Sequence, residues 1–465
     1  MLNPPLAANF KEELSFNPAH LPPPRSLSRY DVARLATRIS LHYRTKPHPK
    51  PNYNNSKYFI TTEIYGIVVE SKLISAISER LECKRFWKQA LEKKANQDRL
   101  DHEARYALLG ETSKNGLDIA QLYCSNETLE RERQKRSDNE KILSNYKVIN
   151  TRTNQEESLL AIAQTNEQNR VSALYFTAKS LERLAHEKNF IWIFVTLTAP
   201  SKYHPNPLNG RRTYDAELGI KASHNYINTK WKQIRASLNV KGIKASPDGY
   251  FGFRTVEPHK DGSIHWHLLM FVDKNAVEDV ASVIKQKFPE KYAADVVYGK
   301  QGAGSATAAT YLYKYISKSV SKSKSPQLSE NDIAVDLERE ARDLASMRNK
   351  ERVQACLAAL RIRQYQLFGV CNLTTVFKKI NKLDLESISP PAGSILHFIR
   401  NDIWRNTDGY LNMIKNSQLF KKNSSIELLK EPTKSRYGEP REKIVGIRID
   451  STSYFDDKKY KIIKC

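Results

Sequence analysis

A chain of 465 residues is long enough for roughly three domains of ordinary size and for a substantial hydrophobic core. Its composition, with 40% apolar and 27% charged residues, indicates a folded, soluble protein and excludes a chain that is disordered throughout. The 75 Lys and Arg against 51 Asp and Glu give a net charge of +24. Nucleic acid is therefore the first partner to consider, because phosphates reward an excess of cations; a membrane surface or simple solubility is the alternative.

Cysteine usage and hydropathy indicate where the chain works. The five cysteines are scattered and contain no Cys-x-x-Cys pair, so neither a zinc knuckle nor a disulfide framework is expected. The N-terminus lacks the basic start and apolar run of a signal peptide, and the longest apolar run, around Phe190 to Val195, is too short to span a bilayer. These features predict a protein of the reducing cytoplasm without membrane contact.

The first 188 residues are predicted to be mostly helical. Residues 1–70 are interpreted as an irregular proline-rich arm followed by a short helix over residues 30–43. Residues 71–188 form a charged helical region, in which residues 158–188 keep apolar side chains at a spacing of 3.6. Composition alone does not name a function for this part of the chain.

The pattern changes at residue 189, where we predict an α+β domain that extends to residue 325. Residues 190–198 are typical of a buried strand, and residues 253–271 of an antiparallel hairpin. Helices are expected around these strands, over residues 221–238 and 275–287. This order predicts a central antiparallel sheet with helices on one face. Residues 326–390 are interpreted as a helical basic segment and residues 391–465 as a basic tail without assignable chemistry.

The hairpin carries the first candidate site. If its turn centres on Asp261, Glu257 lies opposite His265 and Thr255 lies opposite His267, and all four side chains project from one face. The alternating residues point into a core on the other face; they are Trp266, Leu268 and Met270. Two imidazoles and a carboxylate can hold a divalent ion and leave positions open for a ligand. The alternative is a hairpin with two surface histidines and an acid in a loop.

A second candidate site lies on a helix predicted over residues 308–320. Tyr311 and Tyr315 are four residues apart and Lys318 is three further on, so one face presents two phenols and an ammonium. Tyr313 points away from that face. The alternative is an amphipathic helix whose tyrosines pack with their hydroxyls at the rim.

The two candidate sites make chemical sense together. A phenol with an ordinary pKa of about 10 is a poor nucleophile at neutral pH, and it needs a nearby cation such as Lys318 and a Lewis acid at the target phosphorus. Attack on a phosphodiester would give a 5′-phosphotyrosyl bond and release a 3′-hydroxyl. Because bond energy is conserved, the strand can be rejoined without a nucleotide cofactor, and two tyrosines on one face could alternate.

Several motifs carry a resemblance to known families. His265-Trp266-His267 resembles the His-hydrophobic-His motif of the rolling-circle endonucleases, the segment 311–318 resembles the paired-tyrosine motif of their replication-initiator branch, and the segment 195–204 resembles the first motif of that superfamily. Further motifs, over about residues 80 to 385, resemble the bacteriophage replication gene A proteins: Phe253-Arg254, Glu257-Pro258-His259, Asp261-Gly262, Tyr123-Cys124-Ser125, Gly304-Ser305-Ala306 and Arg361 to Gln366. Two departures concern the tyrosines, since three residues separate Thr307 from Tyr311 where the motif has about one, and Tyr313 replaces a small residue.

The resemblance implies a site- and strand-specific DNA nickase that initiates rolling-circle replication in a bacterial host cell. It implies Mg²⁺ or Mn²⁺ as cofactor, origin DNA as substrate, and a host helicase and polymerase as partners. The implied metal ligands are Glu257, His265 and His267, and the implied catalytic residues are Tyr311, Tyr315 and Lys318.

Alternatives remain for the third ligand and for the function. His259 is a rival to Glu257, but it lies in the turn, whereas Glu257 faces His265 across the hairpin. Thr196 and Thr198 are expected to support the site from the sheet beneath it. A mobilisation relaxase or a tyrosine transposase of the same superfamily, or a non-catalytic DNA-binding protein, are the alternative functions.

Overall fold

The computed structural model describes residues 16–106, 121–207, 211, 213–299, 344–370, 373–380, 383, 426–456 and 460–465. The helices are α1 (Arg29–Thr45), α2 (Ile74–Leu81), α3 (Lys84–Arg105), α4 (Asn126–Ser144), α5 (Leu159–Glu187), α6 (Ala222–Val240), α7 (Val277–Lys287), α8 (Leu344–Leu360) and α9 (Leu373–Ile380). The strands are β1 (Asn52–Asn54), β2 (Lys57–Thr61), β3 (Val68–Ser71), β4 (Tyr146–Asn150), β5 (Glu156–Ser158), β6 (Phe190–Thr198), β7 (Tyr250–Pro258), β8 (Ile264–Asp273), β9 (Ala294–Tyr298), β10 (Tyr365–Phe368), β11 (Ile426–Lys434), β12 (Pro440–Ile449), β13 (Thr452–Phe455) and β14 (Tyr460–Lys464).

The chain divides into two compact units. The first unit comprises Met1–His102 and Lys430–Ile444, and the second comprises Glu103–Leu429 and Val445–Cys465. This division rests on which parts of the chain contact one another. The five-part division expected from the sequence stays a prediction.

The first unit packs helices against a small antiparallel sheet of order β1-β2-β3. Helix α1 begins with a capping box, in which Asp31 N donates to Ser28 Oγ at 3.1 Å and Ser28 N donates to Asp31 Oδ2 at 3.1 Å. Inside the core, Tyr43 stacks on Trp87 with ring centroids 5.6 Å apart, and Trp87 Nε1 donates to Leu81 O at 2.6 Å. The strands of this sheet were not predicted, because they are only three to five residues long and lie among Pro, Asn and Gly residues.

The second unit is built on a five-stranded sheet of order β10-β7-β8-β6-β9, and every neighbouring pair is antiparallel. Strands β7 and β8 form the predicted hairpin. In its turn, Gly262 N donates to His259 O at 2.8 Å, and His259 N donates to Ser263 O at 2.6 Å. Gly262 has φ +81°, a left-handed conformation that glycine adopts without steric cost. The α+β class with a central antiparallel sheet is therefore confirmed.

Helices cover both faces of this sheet, whereas the sequence led us to expect them on one face. On the face of Trp266, helix α6 contributes Trp231, whose ring centroid lies 5.4 Å from that of Phe368 on β10. On the opposite face, residues of α5 and α9 share a core with Phe194, Phe253 and Leu269. The reason is the apolar run at the centre of β8, which is buried on both faces and so needs cover on both sides.

Other expectations have mixed outcomes. Helices α5, α6 and α7 match the predicted helices closely, and β6 matches the predicted strand. The described parts of the segment interpreted as a basic tail contain strands β11 to β14, which were not predicted. The helix expected over residues 308–320 lies outside the described residues. In the part of the chain that the structure describes, no helix combines the length and the apolar character needed to cross a bilayer.

Candidate metal centre

The register of the β7–β8 hairpin brings Glu257, His265 and His267 together. Glu257 pairs with His265, and Thr255 pairs with His267, as the alternation of the sequence predicts. His265 Nε2 lies 2.9 Å from His267 Nε2, and Glu257 Oε2 lies 3.9 Å and 3.6 Å from these two nitrogens. One donor atom from each side chain lies within 4.8 Å of the others, and all three side chains are largely buried.

These three donors fit a divalent ion. An octahedral ion with bonds of about 2.1 Å places neighbouring donor atoms about 3 Å apart, close to the separations of 2.9 to 3.9 Å seen here. Two imidazole nitrogens and one carboxylate oxygen on one face leave the remaining coordination positions to other ligands. Among the described residues, this is the group of histidine, cysteine and acidic side chains with the spacing of a metal site.

Strand β6 supports the centre from its other side. Thr196 pairs with His267 and Thr198 with His265. Thr196 Oγ1 lies 3.1 Å from His267 Nδ1, within hydrogen-bond distance. The ring of Phe194 stacks on the imidazole of His267, with centroids 5.4 Å apart and an interplanar angle of 22°. These contacts fix the orientation of His267 and direct its Nε2 towards Glu257.

His259 lies next to the centre but outside its donor group. Its ring centroid is 4.1 Å from that of His265, and its Nε2 has no hydrogen-bond partner in the described part of the chain. Burial lowers the pKa of His259 to about 4, and the charge of His204 adds to this effect. His259 is therefore neutral near pH 7. The group of three donor atoms contains Glu257 and not His259, and Glu257 as the third ligand stays a prediction.

A buried polar network fixes the turn of the hairpin. Ser263 Oγ lies 2.8 Å from His204 Nδ1 and donates to Asp261 Oδ1 at 2.6 Å. The second ring nitrogen of His204 lies 2.9 Å from the carbonyl oxygen of Ala199. Burial raises the pKa of Asp261, but the hydrogen bonds from His204 and Ser263 outweigh it and leave that pKa below its ordinary value. Asp261 therefore stays ionised.

Sequence reasoning gave these residues no role. His204 ends the segment that resembles the first superfamily motif, and Asp261 was interpreted as the centre of the turn and as part of a motif that resembles the family. Their contact joins residues 57 positions apart, which no local periodicity can indicate. Tyr123 is a further neighbour, because its N–H donates to Lys260 O at 2.8 Å with φ +69°. Burial raises the pKa of Tyr123, and the negative charge of Glu257 raises it further.

The predicted catalytic residues Tyr311, Tyr315 and Lys318 lie outside the described residues. The hairpin site stands on the described residues alone.

The fold and the site thus define a protein of mixed α and β structure that carries a candidate divalent-metal centre on an antiparallel sheet. The family model of the bacteriophage replication gene A protein (GPA) matches residues 29–323, which is more than half of the chain. The chain belongs to this family.

Several curated relatives are similar to the chain. The replication protein of Haemophilus phage HP1 is 32% identical over 288 residues, which cover 58% of this chain and 33% of the relative. The replication gene A protein of Escherichia phage P2 is 25% identical over 300 residues, which cover 61% and 37%. A probable replication endonuclease from a prophage-like region of Salmonella typhimurium is 24% identical over 264 residues, which cover 53% and 30%. The matched region spans about a third of the length of these relatives, and no solved structure matches the chain.

Proposed function

We propose that the chain is a site- and strand-specific DNA nicking endonuclease that initiates rolling-circle replication. The observation that carries the proposal is the convergence of one carboxylate and two imidazoles on one face of an antiparallel hairpin. Membership of the replication gene A family and the names of the relatives, which include probable replication endonucleases, support it. The proposed setting is the cytoplasm of a bacterial host.

In this proposal Glu257, His265 and His267 hold Mg²⁺ or Mn²⁺. A hard divalent ion suits a donor set that contains a carboxylate and leaves positions for phosphate oxygens, and when bound it supplies Lewis-acid stabilisation of charge on the phosphate. His267 keeps a fixed orientation through Thr196, and Asp261 with Ser263 holds the turn that fixes the separation of Glu257 from His265.

The proposed nucleophiles are Tyr311 and Tyr315, with Lys318 stabilising the phenolate. The phenolate oxygen forms a bond to the phosphorus, the bond from phosphorus to the 3′ oxygen breaks, and that oxygen takes up a proton. The 5′ phosphate stays esterified to the tyrosine, and the free 3′-hydroxyl can prime a host polymerase while a host helicase separates the strands. The reverse attack by a 3′-hydroxyl on the phosphotyrosyl bond rejoins the strand.

The proposal is tested by detecting the covalent intermediate. Incubation with labelled single-stranded origin DNA and Mg²⁺ or Mn²⁺ should give a protein–oligonucleotide conjugate that survives a denaturing gel, and a chelator should prevent it. The double variant Tyr311→Phe with Tyr315→Phe should lose the conjugate and keep its DNA affinity, because only the nucleophilic oxygens are removed.

The matched control is Tyr313→Phe, which removes a phenol from the opposite side of the same predicted helix and should leave the conjugate intact. A conjugate that persists in the double variant would refute the assignment of the nucleophiles. The absence of any conjugate with the wild-type chain, across both metals and with origin DNA, would refute the nicking function.

A further inference from the structure

The first unit contains an open cleft of about 630 Å³ that the proposed reaction does not use. Its volume is in the range of about 300–1,000 Å³ that is typical of ligand sites. The charged side chains that line it are two glutamates and five cations. The cations are Arg44, Lys84, Arg85, Lys88 and Arg436. They come from the end of α1, the first turns of α3 and the turn between β11 and β12. The cleft therefore gathers positive charge from three separate segments of one unit.

The turn that supplies Arg436 is held firmly in place. Glu439 accepts a hydrogen bond from Arg80 Nη2 at 2.7 Å and another from Ser71 Oγ at 2.6 Å. The guanidinium of Arg80 also lies 4.7 Å from the ring centroid of Tyr437. Arg436 and Tyr437 thus lie at the cleft on a preorganised turn. Because the turn is already ordered, the entropic cost of binding a ligand is smaller.

The cations of the cleft have no acidic partners in the described part of the chain and lie together around one concave surface. Among the described residues, none of the five has a carboxylate oxygen within 4.0 Å. Other cations of the unit are paired: Arg80 with Glu439 at 2.7 Å, Lys57 with Glu70 at 2.9 Å and Lys430 with Glu442 at 2.8 Å. Like charges collected around one concave surface repel one another, and an anionic ligand would relieve that repulsion.

Cys83 in the lining reports how the cleft treats negative charge. Burial raises the pKa of its thiol, but the backbone N–H groups of Phe86 and Arg85 at the start of α3 lower it. The Tyr437 hydroxyl, whose oxygen lies 3.6 Å from Cys83 Sγ, and the charge of Arg436 lower it further. The balance leaves the pKa of Cys83 below its ordinary value, so the cleft stabilises an anion.

The charge of the whole unit indicates which anion is bound. Its described residues carry 21 Lys and Arg side chains and 11 Asp and Glu side chains. We propose that the cleft binds the phosphate backbone of DNA, so that the first unit contributes a DNA contact of its own. The identity of the anion rests on the proposed function, whereas the arrangement of cations without acidic partners does not.

The test measures DNA affinity of the full chain in the presence of a chelator, where nicking cannot proceed. Fluorescence anisotropy with a labelled single-stranded oligonucleotide over a salt series gives the dissociation constant and its salt dependence. The variant K84Q/R85Q/K88Q should bind roughly tenfold more weakly at low salt. The negative slope of the logarithm of the association constant against the logarithm of the salt concentration should decrease in magnitude by about 2, because three phosphate contacts are lost. The control K57Q/K93Q/K430Q removes as much charge from the same unit outside the cleft and should leave both quantities unchanged.

Alkylation of Cys83 gives a local measurement that does not depend on the substitutions. DNA should slow the reaction of Cys83 with N-ethylmaleimide several-fold, and the exposed Cys465 serves as the internal reference. Equal salt slopes for the two triple variants, or a Cys83 rate that DNA leaves unchanged, would overturn the proposal. Protection of Cys83 by inorganic phosphate but not by DNA would assign the cleft to a small anion and would also overturn it.

The outcome is separable from that of the nicking function. If the wild-type chain forms the conjugate and K84Q/R85Q/K88Q has an unchanged salt slope, only the proposal that the cleft binds DNA is refuted. If K84Q/R85Q/K88Q has a smaller salt slope but the wild-type chain never forms a conjugate, the nicking function is refuted and DNA binding by the cleft is supported.

Discussion

The two ring nitrogens of His267 serve different purposes. Nδ1 faces Thr196 Oγ1 at 3.1 Å, and Nε2 faces Glu257 and His265. If Nε2 is to bind a metal through its lone pair, the proton of the neutral ring must reside on Nδ1 and be donated to Thr196. A single hydroxyl on β6 is therefore in place to accept the Nδ1 proton of the tautomer that the proposed centre requires.

This dependence predicts the effect of Thr196→Val. The substitution keeps the shape of the side chain and removes the acceptor of the Nδ1 proton, so His267 loses the contact that orients its ring. Mn²⁺ affinity of the DNA-free protein should fall by about tenfold or more, as is usual when the hydrogen-bond partner of a metal-binding histidine is lost. Calorimetry or Mn²⁺ electron paramagnetic resonance would measure it.

Thr198→Val is the matched control. Thr198 lies two residues further along β6, opposite His265, and among the described residues its hydroxyl makes no hydrogen bond to either imidazole. Its Mn²⁺ affinity should stay within about twofold of the wild type. Equal losses in the two variants would show that the hydroxyl of Thr196 has no special role.

The sequence predicts the residues of the hairpin site because a strand has a side-chain period of two. Once the turn is located near Asp261, the pairing of Glu257 with His265 follows without further information. The contacts of His204 with His259, Asp261 and Ser263 do not follow, because they depend on a segment that returns to the hairpin from a distant part of the chain. The sequence therefore predicts which residues of the two strands face one another, but it does not predict the polar network around them.

Among the elements, β7 has an unusually close neighbour at Gly252. A Cβ built at this position would lie well inside van der Waals contact with the carbonyl oxygen of Leu269 on β8, and 3.1 Å from the Phe368 ring on β10. Neither a paired backbone carbonyl nor a ring packed against Trp231 can withdraw freely. Glycine is required here for the close approach of three adjacent strands.

Gly252→Ala should therefore destabilise the second unit by about 2 kcal/mol or more, through overpacking and displacement of β7. Urea denaturation followed by circular dichroism would measure the loss. Gly242→Ala provides the comparison, since its added Cβ would meet nothing within 4 Å and its only penalty is φ +80°. A smaller loss at Gly252 than at Gly242 would contradict the argument from close approach.

Elements were predictable where their pattern is long and regular. The helix over Leu159–Glu187 and the strand over Phe190–Thr198 extend far enough for a period of 3.6 or an unbroken apolar run to be recognised. Strands β9 and β10, with five and four residues, are partly exposed and show no clear alternation. Their place in the sheet is set by pairing with β6 and β7, which is tertiary information.

For the whole molecule, the net charge of +24 is in keeping with membership of a family of phage replication proteins, and it cannot say where the charge acts. The sequence gives no sign that residues near Lys84 and residues near Arg436 line one cleft, since about 350 positions separate them. Chain-wide charge is a sum, whereas a binding site depends on which cations lack partners.

Acid stability is a property of the whole second unit, and His224 on α6 is expected to set part of it. Its Nδ1 accepts a hydrogen bond from Trp266 Nε1 at 3.1 Å, so the ring must be neutral at that atom. Burial lowers the pKa of His224 to about 4, and the charges of Arg254 and Lys221 lower it further. In the unfolded chain the same group titrates near 6.5.

The pKa of His224 in the folded and in the unfolded chain decides whether stability rises or falls with pH. Above about pH 6.5 neither state binds the proton and the stability is fully present; below that pH the unfolded chain gains a proton that the folded chain refuses until about pH 4. Stability should therefore fall by about 2 kcal/mol between about pH 7.5 and about pH 5 through His224 alone. His224→Gln keeps an acceptor for Trp266 and does not titrate, so urea denaturation should show that its stability depends less steeply on pH. The control is His186→Gln, which replaces an exposed histidine of α5 and should match the wild type. An unchanged pH dependence in His224→Gln would mean that this imidazole is not held neutral by the fold.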